Sequence, residues 1–255
     1  MIPVAAALVA GALFVQAFFR LRSRGRNDLA GWGRAALFWL GIIVALAALV
    51  SPLDRLAHDE LLSAHMTQHV LVGDLAPALL VVALRGPLLF FFLPARVLGP
   101  LARASWLRAL LRTVTNPRVA FALWSLNLAV WHVPALYDAA LRHAALHDFE
   151  HACWFTAGLL VWTLLVDPAA HGRLTTGGKL ALAVALFAAG QILTDVLVFS
   201  FTPLYPAYAG AYGIGAVTDQ QLAGVVMMAE QLLTLGTLAA VLLRPRLRAG
   251  RLATA

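Results

Sequence analysis

Seven apolar runs, each about 20 residues long, follow one another along this chain, and each is long enough to carry a helix across ~30 Å of hydrocarbon. They lie near residues 2–19, 34–51, 63–84, 118–137, 146–166, 180–201 and 220–243. In lipid, backbone polar groups must be bonded within their own segment or within a closed barrel. Runs of this length therefore set the fold class: all-α, a polytopic membrane protein with a seven-transmembrane-helix bundle. Composition agrees, with 62% hydrophobic and 12% charged residues, about half the charged fraction of a soluble domain. A net charge of +7 does not point to nucleic acid, because every basic residue except Lys179 is Arg and the arginines sit in short clusters between apolar runs. That is the charge pattern of a chain whose partner is the lipid bilayer.

The loop charges set an expected orientation. Arg20, Arg22, Arg24, Arg26 and Arg34 follow the first run, and no basic residue precedes it, so it reads as a retained helix with its N-terminus outside. The stretch LDRLAHDE is net acidic. Residues 85–117 carry Arg85, Arg96, Arg103, Arg108 and Arg112 among apolar and Pro positions, and read as a cytoplasmic interfacial loop with short amphipathic helices. Arg173 and Lys179 mark the fifth loop, Thr202 to Asp219 has no basic residue, and the tail holds Arg244, Arg246, Arg248 and Arg251. Seven spans with the C-terminus cytoplasmic satisfy every loop, and residues 1–255 read as one bundle.

This orientation uses Arg alone, yet it sorts the histidines. Seven of the eight fall on the outer side, and only His171 is cytoplasmic. His65 and His69 are four residues apart on the third run, and His147 and His151 repeat that spacing on the fifth. Each pair projects two imidazoles from one helix face. These four are the expected ligands of one metal, within ~3–10 Å of the outer boundary by helix rise. His58, His132, Glu150, Asp195, Asp219 and Met227 can reach the same region as further ligands or outer partners. Gln191, Thr194 and Asp195, and the stripe from Asp219 through Met227 to Glu230 and Thr237, should face the bundle interior. Asp74 reads as a contact to a neighbouring span. Glu230 is a deep acid with no partner on its own helix, so a buried hydrogen bond is favoured over a proton relay. The plain alternative for the histidine pairs is interhelical hydrogen bonding. The single cysteine, Cys153, excludes an intramolecular disulfide and a CxxC metal pair.

Four ordered motifs then stand out: HMTQH followed by DLAPALL, WHVPALYDAAL, LHDFEHACWF, and DQQLAGVVMM. With them the chain resembles the multi-span CtaG family of caa3-type cytochrome c oxidase assembly factors, over roughly residues 30–245. It departs from the family pattern at Ala78 and Met228, neither of which is a histidine. The resemblance implies a role in maturing a haem–copper oxidase in a prokaryotic plasma membrane, by handling copper rather than by catalysis. Its partners would be oxidase subunits or a copper donor. Two other classes remain open on the residues: a zinc-dependent intramembrane hydrolase, with Glu150, Asp195 or Asp219 as base, and a haem-binding or transport protein using paired axial histidines.

Overall fold

A computed structural model describes the backbone from Ile2 to Ala253 and the side chains from Ile2 to Pro245. Arg246, Arg248 and Arg251 of the tail lie outside the described side chains. Helices α1 (Ile2–Arg22) and α2 (Trp32–Val50) are apolar and of membrane-crossing length. Short α3 (Pro52–Asp59) starts where Ser51 Oγ accepts from Leu53 N and Pro52 occupies the first turn. The third span, Leu62–Ala83, consists of α4 (Leu62–Val70), a π turn over Leu71–Leu75 and α5 (Ala76–Ala83). Pro77 explains the π turn: it has no N–H to give the Gly73 carbonyl four residues back, and the ladder widens just before it.

Residues 85–117 fold into α6 (Pro87–Phe92), α7 (Ala95–Arg103) and α8 (Ser105–Val114), and α7 and α8 bury none of their side chains. Next come α9 (Pro117–Trp131) and α10 (Pro134–Arg142), bent 74° from each other. The fourth run is therefore not the straight span its hydropathy suggests, because Pro134 cannot continue α9. Three further apolar helices follow: α11 (Ala144–Val166), α12 (Thr176–Phe199) and α13 (Ala216–Ala253). A two-residue hairpin, Gly210–Ala211 with Ile214–Gly215, sits in the loop before α13. Among the described residues six helices are long and apolar enough to cross a membrane, and seven spans result if the bent pair counts as one.

Loop contacts sort into two ends. The Arg-rich loops meet one another: Arg34 donates to the Arg85 carbonyl, Gly86 N to Pro168 O (2.7 Å), and Arg173 Nη1 to Thr115 O (3.2 Å). The histidine-bearing loops meet at the other end, where Tyr208 Oη donates to Ala57 O (2.6 Å) and Tyr205 Oη to His132 O (2.9 Å). Two expectations fail here. Asp195 is exposed on α12 while Thr194 beside it is buried, and Thr237 on α13 is exposed as well.

Candidate metal centre

The start of α4 is pinned from across the bundle. Asp219, in the first turn of α13, is fully buried. Its carboxylate accepts from Leu62 N (2.7 Å), Ser63 N (3.1 Å) and Ser63 Oγ (2.5 Å). These are donors that the first turn of a helix leaves without partners, and a carboxylate there also meets the positive end of the helix dipole. Asp219 thus anchors the helix bearing His65 rather than joining the histidines. Gln68 holds the same helix to its neighbours, with Nε2 2.9 Å from Ala48 O and 2.8 Å from Asp54 Oδ1. Asp219→Ala is expected to lower stability by about 1–3 kcal/mol, the cost of leaving buried donors unpaired. A fall in the unfolding temperature of the purified protein measures it; an unchanged temperature would mean that water replaces the carboxylate.

From this anchored helix His65 and His69 project toward α11, which brings His147, Glu150 and His151. All five side chains are buried. The potential ligand atoms of His65, His69 and His151 lie within 4.8 Å of one another, as do those of His65, His147 and Glu150. His65 belongs to both triads. The four expected ligands are thus brought together, and Glu150 joins them with Oε1 3.4 Å from His69 Nε2. His58 stands at the rim, its ring 5.5 Å from that of His147.

Hydrogen bonds fix how two of the imidazoles present themselves. Tyr208 Oη gives its one proton to Ala57 O, so it accepts from His65 Nδ1–H (2.7 Å). The His65 Nε2 lone pair is then left facing His69 Nε2, 2.9 Å away. Burial pushes the Tyr205 and Tyr208 phenols above their ordinary pKa, so both remain neutral donors across the physiological range. His132, at the end of α9, gives Nδ1–H to Leu128 O (2.8 Å) and turns Nε2 toward Met66 Sδ, 3.4 Å away. Backbone or hydroxyl partners on one ring nitrogen are the usual means of aiming the other at a ligand.

Several other donor atoms of the cluster make no hydrogen bond. His69 Nδ1, His147 Nε2, His151 Nε2 and both Glu150 oxygens are buried without a hydrogen bond among the described residues. Each such atom costs about 1–3 kcal/mol. A cation held among these nitrogens and oxygens would satisfy several at once, so the donor set fits a metal ion.

Beside His69 and His132 lies a cavity of ≈ 40 Å³, also lined by Met66, Met227, Asp74 and Glu230. Met227 therefore reaches the site's inner side, as expected, whereas exposed Asp195 does not face it. Asp74 contacts neighbouring spans, as expected: Trp162 Nε1 donates to Oδ1, and Thr234 Oγ1 to Oδ2 at 3.0 Å. Sequence reasoning missed Tyr208, Tyr205 and Met66. Tyr208 and Tyr205 sit in an aperiodic loop, where the one available cue is a pair of tyrosines in a segment without a basic residue. Met66 is flanked by the motif histidine and points to a different helix.

A polytopic helical membrane protein with a buried histidine–carboxylate cluster near one end of its bundle is the class these features define. Residues 12–249 match the family described as cytochrome c oxidase caa3 assembly factor, Caa3_CtaG. The match spans most of the chain, and the protein belongs to that family. No curated protein and no solved structure matches it.

Proposed function

We propose that this assembly factor binds copper at the cluster of His65, His69, His147, His151 and Glu150 and makes it available to the caa3-type oxidase at the outer face of the plasma membrane. Copper is the cargo here. The observation that carries the reading is the pair of buried triads sharing His65, with donor atoms that have no protein partner. Copper is favoured over zinc by the thioethers: Met66 Sδ lies against His132, and Met227 lines the cavity next to His69. Thioether sulfur is a soft donor that suits Cu(I), whereas zinc sites draw on Cys, His and carboxylate.

The protein's own residues would do three things. Tyr208 orients His65 with Nε2 toward His69, and Leu128 O orients His132 with Nε2 toward Met66. Glu150 would offset part of the cation's charge in a poorly solvated setting. His58, half-buried at the rim, would be the first nitrogen met by an ion arriving from outside.

Delivery requires the histidine end to face outward, and the arginine loops support that orientation. Reporter fusions after Arg26 and Arg248 are expected to read cytoplasmic, and one near Ala211 to read external. An external reading at Arg248 would reverse the orientation and remove the outer-face delivery route.

A further inference from the structure

Asp74 and Glu230 lie away from the histidine triads, near the middle of bilayer-length helices, ~18–21 Å from the helix starts by helix rise. The two carboxyls line the same small cavity, and Thr234, one turn along α13 from Glu230, donates to Asp74. Asp74 already accepts from Trp162 and Thr234. Both Glu230 oxygens are buried with no protein donor. Ionised carboxylates only accept hydrogen bonds and repel each other, so two of them lining one small buried cavity are relieved by a proton held between them. The groups around the pair are His69 and His132, which face the shared cavity from α4 and the end of α9, Trp154 and Trp162 from α11, and Thr234 and Gln231 from α13, and among the described residues no Lys or Arg lines the cavity. Intramembrane acids in such settings are typically proton-handling groups.

The cavity supplies the connection. Its ≈ 40 Å³ exceeds the ~10–15 Å³ that one water requires, and its polar walls give such a water partners. Asp74 and Glu230 line one part of it, and His69 and His132 another. We infer that Asp74 and Glu230 hold a single shared proton and exchange it, through water in this cavity, with the histidine end of the bundle. The inference uses the cavity that the two carboxyls share and the unpartnered Glu230 oxygens, and it stands whether or not the cluster binds copper.

Infrared spectroscopy of the purified, metal-free full chain near neutral pH tests it, because a protonated carboxyl absorbs where carboxylates do not. The native protein should show protonated-carboxyl absorption with a component that is lost in Glu230→Gln, where Asp74 keeps its two donors and stays ionised, and any component from buried Glu150 is told apart by its loss in Glu150→Gln. In Asp74→Asn the same band should shift, as the partner of the Glu230 acid becomes an amide. The second variant keeps the assignment testable should Glu230→Gln fold poorly. Transfer to deuterated water should move the band promptly in the native protein. Val70→Phe, which fills part of the cavity, should slow that exchange at least tenfold. A native spectrum unchanged by both variants would overturn the shared proton. A band that does not exchange, or that exchanges equally fast in Val70→Phe, would overturn the path.

Discussion

Gly158→Ala is expected to deplete the folded protein severely. A Cβ at Gly158 would lie 2.0 Å from the Gly73 carbonyl oxygen and 2.9 Å from both the Gly73 carbon and Pro77 Cγ. Two of these three are backbone atoms, and the third belongs to a proline ring, so no side chain can swing aside. Overpacking costs about 1–3 kcal/mol where side chains can adjust, and here the cost should exceed that range because α11 must lift off the π turn. The damage would reach the site directly. Glu150 and His151 lie about two turns before Gly158 on α11, and His69 lies one turn before Gly73 on the facing span. Separating these helices pulls the two halves of the cluster apart. Folded yield and unfolding temperature after purification measure the effect. Gly236→Ala on α13 is the matched control, since a Cβ there meets nothing within 4 Å. Equal behaviour of the two variants would show that α11 does not seat on the π turn as described.

Much of this architecture can be read from sequence because membrane spans announce themselves by length and loop charge. The i, i+4 pairs of His65 with His69 and His147 with His151 could be grouped for the same reason: one helical period and one expected side. Glu150 follows, being one turn from His147. What sequence hides is geometry between distant segments. Hydropathy reads through residues 118–137 as one apolar run and does not register that Pro134 turns the chain by 74°. The polar stripe on α12 includes Asp195, yet neighbours on a helix differ by about 100° in direction. Thr194 is therefore buried and Asp195 exposed. Glu230 has no acidic neighbour on its own helix, and Asp74, which lines the same cavity, comes from a span more than a hundred residues earlier. Tyr208 reaches His65 from a loop with no periodicity to mark it.

His65→Ala is expected to have the largest effect on function of any single substitution in the cluster. His65 is the one residue shared by both triads, so its loss leaves each with two members. Altering even the outer partners of a metal ligand costs about 10–100-fold in affinity, and removal of a shared ligand should cost at least that much. Host membranes carrying His65→Ala should show oxidase activity reduced about tenfold or more, with the variant protein still present at its normal level. Tyr208 keeps its bond to Ala57 O without His65, so the loop over the site stays anchored and the fold should tolerate the change. His147→Ala, which touches one triad, should be milder. His171→Ala, at an exposed position outside the cluster, should match the native protein. Equal activity in the His65 and His171 variants would make the histidines structural.

The most direct measurement is the metal content of the full chain purified from membranes, by elemental analysis, compared between the native protein and His65→Ala. The account predicts copper bound to the native protein in near-stoichiometric amount, and its loss by at least tenfold in His65→Ala with the protein still folded. Zinc in place of copper, or copper retained undiminished in His65→Ala, would contradict it.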